Sequence, residues 1–451
     1  MKSKIKFTTT QLILLSFLIA IVIGSLLLVL PISSATGQSV AYVDALFTAT
    51  TAVCVTGLVT LPTVSSWSVF GQIVILILIQ IGGLGIITIM SGFMISLRRK
   101  MGMKERTLIQ DAFNLNTMSG IIRFIKKVLI GTFVVEGLGA LLYMTVFVPE
   151  FGLKGIWISV FNSISAFCNA GIDILAENSL INYATNPMVL GVTSALIILG
   201  GIGYVVWWDV IRVLKDFKTK KLRCFCGLTL HSKIALSMTA FLLALPTVLF
   251  FIFEMSNPLT IKDFSLFDQL QFAFFQSVTT RTAGFASVPQ ENLTNASSFV
   301  SLLLMFIGGS PVGTAGGVKT VTIAVLIYAA FATIKNEEDV VMFDRTIAKK
   351  TISKSVAVVF VSFMIMCIST ILLSAVTDAS MLDILYETVS ATATVGLTRN
   401  LTSSLNLMGK LIVIVTMYFG RVGPISMIIA FNTTKEKKNI IKNPLEEISV
   451  G

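Results

Sequence analysis

Charge is what this sequence has least of. Only 13% of its 451 residues are Asp, Glu, Lys or Arg, against 55% hydrophobic. A soluble domain carries about twice that charge, so the composition excludes one and reads as an integral membrane protein. Apolar runs of roughly the 20 residues that a bilayer requires recur along the chain. Histidine is nearly missing, with His231 alone. With no His-Glu-x-x-His and no paired intramembrane carboxylates, the acid clusters, histidine pairs or nucleophiles of a membrane transferase have no counterpart. Cysteine is sparse: Cys54, Cys168, Cys224, Cys226 and Cys367 are odd in number and lack the spacing of a disulfide framework. Cys224 and Cys226 sit in a basic loop, where a metal would need further ligands, and read as free thiols in a reducing cytosol. No ATPase motif occurs, and no GxGxxG opens a soluble βαβ unit, so no nucleotide is expected on this chain.

What the chain does hold is a stretch used four times. Asp44 to Leu58, DALFTATTAVCVTGL, is too polar to span a bilayer and too apolar for an ordinary loop. It reads as a short helix to about Ala52 followed by an irregular tail ending on Gly57. The same design ends on Gly171, Gly284 and Gly396, at spacings of 114, 113 and 112 residues. Ten residues before each glycine stands an aromatic: Phe47, Phe161, Phe274 and Tyr386. So long a fixed period marks an internal repeat.

Each repeat reads as an outer helix, a pore segment and an inner helix. The outer helices are expected over 12–30, 128–148, 234–253 and 356–376, and the inner ones over 69–97, 189–208, 299–334 and 407–431. The predicted fold is an all-α polytopic membrane protein, with eight membrane spans and four re-entrant pore helices in a pseudo-fourfold pore. Its repeats are 1–100, 101–215 with a cytosolic linker, 216–345 with an intramembrane loop, and 346–451 with a cytosolic tail. The first apolar run follows Lys2, Lys4 and Lys6 like a signal peptide, but no small-residue cleavage pattern follows it, so it reads as a retained helix.

The formal charge of +11 is explained by placement. Lys2 to Lys6, Arg98 to Lys127, Arg212 to Lys233, Lys335 to Lys354 and Lys435 to Lys442 hold 27 of the basic residues on one side. The connections on the other side carry only Lys154, Lys262 and Arg399. By the positive-inside rule both termini are cytosolic and the pore segments enter from outside. That removes nucleic acid as a partner; the basic loops Arg98–Arg106 and Lys215–Arg223 are candidate docking surfaces, topology signals or anionic-lipid contacts. The opposite connections are acidic, which attracts cations to a pore mouth. Asp44, Asp268 and Asp383, each opening a pore segment, fit helix N-caps.

Irregular backbone at membrane depth is tolerated where it is buried in protein or lines water. Four such pieces at one depth suggest a ring presenting carbonyl oxygens to a dehydrated cation, with glycine relaxing the backbone. Each short helix also points its negative end at the axis.

The motifs Val53–Leu58, VCVTGL, Thr280–Phe285, TRTAGF, and Thr394–Thr398, TVGLT, resemble the filters of the Ktr/Trk/HKT superfamily of potassium transporters. The likeness covers essentially the whole chain and is nearest to KtrB-type membrane subunits of a potassium uptake system. It implies backbone coordination of K+ at Val53, Cys54, Val55, Thr56 and Gly57, at Cys168, Asn169, Ala170 and Gly171, at Arg281, Thr282, Ala283 and Gly284, and at Ala393, Thr394, Val395 and Gly396. Glycine at all four positions goes in that family with potassium preference. The resemblance also implies a bacterial plasma-membrane protein, a homodimer and a cytosolic nucleotide-binding regulatory ring of RCK type. Sodium dependence, a less selective Na+/K+ transporter and, from another class, a polytopic membrane enzyme stay open as alternatives.

A second set of glycines recurs inside the inner helices: Gly82-Gly83-Leu84-Gly85, Gly200-Gly201-Ile202-Gly203, Gly308-Gly309 and Gly420-Arg421-Val422-Gly423. Close helix packing accounts for the first two. In the third, Gly308, Gly309, Gly313, Gly316 and Gly317 with Pro311 predict a broken helix and a flexible loop beneath the filter, since each glycine or proline weakens a helix by about 1 or 3 kcal/mol. In the resembling family a loop here obstructs the pore and moves, and an arginine matching Arg421 has a gating role. An intramembrane Arg421 costs at least ~2.5–3.5 kcal/mol, so it needs a partner, and loop carbonyls fit. Lys319 either serves similarly or reaches the cytosolic interface. Glu136, deep in the second outer helix, needs a buried partner such as Lys319 or Arg281; Arg281 is expected to brace the filter from behind.

Overall fold

Backbone amides and carbonyls in hydrocarbon must be paired within their own segment, and a helix does that locally. The four outer runs obey: Thr9–Val29, Ile121–Phe151, Leu230–Glu254 and Lys349–Ser374 are continuous helices, long and apolar enough to cross a bilayer. The computed structural model describes residues 9–96, 102, 107, 109, 120–215 and 221–423. The basic groups at Lys2–Lys6 and Lys435–Lys442, most of Arg98–Arg106, the middle of Lys215–Arg223 and the expected end of the last inner helix lie outside those residues. On the outer helices the exposed side chains are themselves apolar, with Leu26, Ile130, Phe241 and Phe360 all more than half exposed. A water-soluble surface seldom shows contiguous patches of this kind; hydrocarbon is a fitting solvent for them.

The pore helices are Tyr42–Cys54, Lys154–Cys168, Leu266–Thr279 and Met381–Ala393. Their interiors are buried and rich in Ala, Ser and Thr, small residues that let backbones approach. The expected aspartate caps are corrected. Ser265 and Ser380 are the N-caps, and Asp268 and Asp383 stand three residues inside, each joined reciprocally to its serine. A serine or threonine cap offers its oxygen to the backbone amide while a third-position acid reaches back. Asp44 lies equally far inside the first pore helix, where Lys410 pairs with it at 2.5 Å.

The inner helices all start on a polar cap, Ser68, Asn186, Thr294 or Asn406, that accepts from an amide of the first turn. They depart from expectation further along, because the break predicted for the third occurs in others too. The first is Val69–Leu84 and Ile86–Ser96 around Gly85; the second is Pro187–Gly201 and Tyr204–Leu214, bent by 98°. Gly85, Gly203 and Gly423 take φ of +81°, +92° and +89°, a region closed to residues with a Cβ at little cost. The third helix is interrupted over residues 307–319, between Asn295–Phe306 and Thr320–Ile334. Close packing holds as well: a Cβ at Gly82, Gly200 or Gly420 would strike the carbonyl of Val53, Phe167 or Thr392, each in the last turn of a pore helix.

The repeats are joined in a cycle. The first inner helix packs on the second pore helix, the second on the third, the third on the fourth, and the fourth on the first. Consecutive repeats are therefore neighbours, and the fourth lies beside the first; the Tyr418 hydroxyl donates to the Leu14 carbonyl at 2.9 Å.

Candidate functional site

Helix termination builds the centre. In repeats one, two and four the pore helix ends on a left-handed residue, Val55, Asn169 or Thr394, at φ of 53° to 58°. The next amide then bonds back to the carbonyl of Thr51, Ser165 or Ser390, which satisfies an orphan carbonyl of the last turn. The same side chains hold the tail: the Gly57 amide donates to Thr51 Oγ1 at 2.9 Å, the Gly396 amide to Ser390 Oγ at 3.0 Å, and the Ile172 amide to Ser165 Oγ at 3.2 Å. Gly57, Gly171, Gly284 and Gly396 follow at φ of +100°, +64°, +81° and +97°.

These four glycines form a closed ring. A Cβ on Gly57 would meet the Ala170 carbonyl at 2.7 Å, one on Gly171 the Ala283 carbonyl at 2.6 Å, and one on Gly284 the Val395 carbonyl at 2.5 Å. One on Gly396 would meet the Thr56 carbonyl, which closes the circle. The four glycines expected at the centre are thus brought together, with no room for a side chain on any of them.

Two cavities flank the ring. One, of about 290 Å³, is lined by all four ring glycines together with Asp173, Glu177 and Glu291. Burial pushes the Asp173 carboxyl up to about 6, against bonds from Ser179 and the Leu175 and Ala176 amides. The other, of about 310 Å³, lies towards the start of the first outer helix and is lined by inner-helix glycines, the 307–319 segment, Lys319 and Arg421.

That segment is held at many points. Across its base the Gly308 amide donates to the Val318 carbonyl and the Val318 amide to the Phe306 carbonyl, and the Ser310 and Thr314 amides donate to the Gly201 and Gly200 carbonyls. Arg421 Nη1 donates to the Thr314 carbonyl at 2.6 Å and Nη2 to the Gly82 carbonyl, so the arginine ties the segment to the first inner helix. Lys319 turns back onto the segment, its Nζ 2.6 Å from the Ala315 carbonyl.

Two expected partnerships are replaced. Glu136 pairs with neither Lys319 nor Arg281: Gln80 Nε2 donates to both of its carboxyl oxygens at 3.2 Å, with the Cys168 thiol 3.9 Å from Oε1. Arg281 turns away from the ring towards Thr239 of the third outer helix, 3.5 Å off. Cys54 and Cys168, the last residues of their pore helices, are buried, and Cys226 is an exposed free thiol.

Sequence reading missed the polar network behind repeats three and four. Gln276 donates to Gln290 at 2.7 Å, Tyr386 donates to Gln290 at 3.0 Å, and Thr398 and Thr402 each donate to Glu387 at 2.6 Å. Arg399 ion-pairs with Asp383 at 2.7 Å and bonds the Gln290 carbonyl and Ser298. The signal available was a run of amide, hydroxyl and acid residues in otherwise apolar surroundings.

The whole-chain resemblance is supported by comparison with known proteins. The family model described as TrkH, cation transport protein, matches residues 2–443. The chain is 40% identical to the potassium/sodium uptake protein NtpJ of Enterococcus hirae, over 100% of this chain and 99% of that one. It is 38% identical to Ktr system potassium uptake protein B of Bacillus subtilis, covering 99% and 98%. The crystal structure of the potassium transporter TrkH from Vibrio parahaemolyticus shares its fold, with a TM-score of 0.77 and 15% identity over 96% of this chain and 86% of that one. Matched over nearly its full length in sequence and fold, the chain belongs to the TrkH family of cation transport proteins and is a membrane transporter, not an enzyme.

Proposed function

We propose that this chain is the ion-translocating subunit of a potassium uptake system, passing dehydrated K+ through the ring of Gly57, Gly171, Gly284 and Gly396. The observation that carries the reading is the cyclic contact of these glycines, each leaving open the space beside its neighbour's carbonyl that a Cβ would fill. Backbone carbonyls at such a constriction replace a cation's hydration shell, and the pore helices aim their negative ends there. The cavity with Asp173, Glu177 and Glu291 collects cations from outside. Below the ring, the 307–319 segment with Arg421 and Lys319 obstructs the path and gates it.

In this reading the outer and inner helices make eight spans around four re-entrant pore helices, with both termini cytosolic. The chain forms a homodimer in a bacterial plasma membrane and sits on a cytosolic RCK-type ring, which binds the nucleotide in its place. The name of the Bacillus subtilis relative, component B of a Ktr system, supports further subunits. A second reading, a transporter that passes Na+ as well, is favoured by the printed name of the Enterococcus hirae relative.

The test is rubidium flux through the purified protein in liposomes, with potassium and sodium as competitors. Potassium is expected to compete far more strongly than sodium. Equal competition selects the second reading, and absence of flux removes both. A cysteine introduced at Glu177 is expected to react with an impermeant reagent from outside the cell, and one at Glu338 from inside; the reverse pattern overturns the orientation.

A further inference from the structure

The segment beneath the ring does more than fill the path, because it is bonded to the residues that shape the ring. Two positions before each ring glycine stands a left-handed residue: Val55, Asn169, Thr282 and Thr394, at φ of 54°, 58°, 64° and 53°. Each sets the backbone turn that aims the next carbonyls, and a non-glycine residue holds this conformation only where its surroundings enforce it. In three repeats the segment supplies those surroundings. Thr314 Oγ1 donates to Asn169 Oδ1 at 3.1 Å and to the Phe167 carbonyl at 3.0 Å. The Gly316 amide donates to Thr282 Oγ1 at 3.2 Å. A Cβ at Gly316 would collide with the Thr394 hydroxyl and come within 2.8 Å of the Ala393 carbonyl. In the first repeat the position is Val55, an apolar side chain against Gly82, and Arg421 links Gly82 to Thr314 instead.

We infer that Asn169, Thr282 and Thr394 are specificity-determining positioning residues, through which the 307–319 segment holds the ring in its potassium-selective shape. Gate and filter are then one coupled element. Releasing the segment loosens three of the four left-handed turns, so the conducting state discriminates less between potassium and sodium than the closed ring would. By reciprocity of coupled equilibria, potassium in the ring favours the docked segment by the same factor. The inference rests on the reading of the ring as the potassium filter and of the segment as its gate.

The test uses Thr314→Val in the full-length protein in liposomes, measuring rubidium flux and potassium-against-sodium competition together. Thr314 touches no ion in the ring, so an obstruction alone predicts higher flux with unchanged competition. The coupling predicts higher flux and a loss of discrimination of roughly two- to tenfold, the span expected for one hydrogen bond. Thr282→Val, which removes the acceptor of the Gly316 amide at nearly constant volume, is expected to do the same, and Thr282→Ser to restore both readouts. Shortening 309–317 is expected to abolish any further effect of Thr282→Val. Unchanged competition in Thr314→Val, or an undiminished Thr282→Val effect in the shortened protein, overturns the coupling. Gly57→Ser in the same assay separates the two levels. If it and the serine variants of Gly171, Gly284 and Gly396 all leave competition unaltered, the filter reading itself has failed; if any of them alters competition while Thr314→Val does not, the coupling alone has failed.

Discussion

In repeats one, two and four the pore helix stops three residues before its ring glycine, at Cys54, Cys168 and Ala393; in repeat three it stops five before, at Thr279. The change is visible all along that helix. Phe47, Phe161 and Tyr386, ten residues ahead of their glycines, are fully buried, whereas Phe274 is 39% exposed and its neighbour Phe275 is buried. The anchoring hydroxyl shifts alike: Thr51, Ser165 and Ser390 stand six residues before the glycine, but Thr279 stands five before and donates to the Phe285 carbonyl at 2.6 Å. Repeat three is thus out of register by one position, and its tail accommodates Arg281 by turning that side chain outward. The same repeat carries the long interruption of its inner helix, while the first and second manage with a short break at Gly85 and at 202–203. Three repeats hold one geometry, and the departures are concentrated in repeat three, whose interrupted inner helix supplies the 307–319 segment.

The largest expected effect tests the part that all four repeats share. Serine at Gly57, Gly171, Gly284 or Gly396 adds a Cβ at a φ that costs roughly 1–2 kcal/mol in a residue with a side chain, besides its contact with the neighbouring carbonyl. Potassium-against-sodium discrimination is expected to fall by about tenfold or more, since 1.4 kcal/mol is tenfold. Unchanged competition curves in all four variants would remove the filter assignment, and an effect confined to Gly284 would mean that repeat three alone selects.

An intermediate effect tests the part repeat three holds alone. Shortening 309–317 and Arg421→Ala are each expected to raise flux severalfold, because the first removes an obstruction and the second the donor that ties it to Gly82. Groups acting on one element are non-additive, so the double variant should lie near the stronger single. Strictly additive effects, or lower flux in folded protein, would make the segment a packing feature.

The smallest effect on transport, and a clear one on stability, sharpens the register difference. Phe275→Ala is expected to cost about 3–5 kcal/mol, as for a buried phenylalanine, and Phe274→Ala far less. Thermal unfolding in detergent reads the difference directly; the reverse order would restore Phe274 to the place its spacing suggests.

Much of this was legible in the chain. The period of the four stretches set the number of repeats, the apolar runs located the outer helices with ends up to seven residues off, and the glycines of 308–317 marked the broken third inner helix. Local pattern carries such features because hydrocarbon forces each long run to be a helix and glycine marks where it is not. The errors share a cause. Asp268 and Asp383 were expected at the cap, where their serine neighbours stand, because either residue type suits that place and only the bond geometry separates them. Glu136 was expected to find a cation and instead took the amide of Gln80, 56 residues earlier.

The sequence by itself, then, determined the fourfold plan, the glycine at each centre and the residues near it, because these are recorded in spacing and residue type. Only the tertiary structure decided the rest: that each glycine faces the next repeat's carbonyl, that repeat three is shifted by one, and that Arg421 and Thr314 fasten the 307–319 segment to other repeats. Those are contacts between backbone atoms and residues more than a hundred positions apart, and a carbonyl, being present at every residue, leaves no trace in the sequence of which donor will reach it.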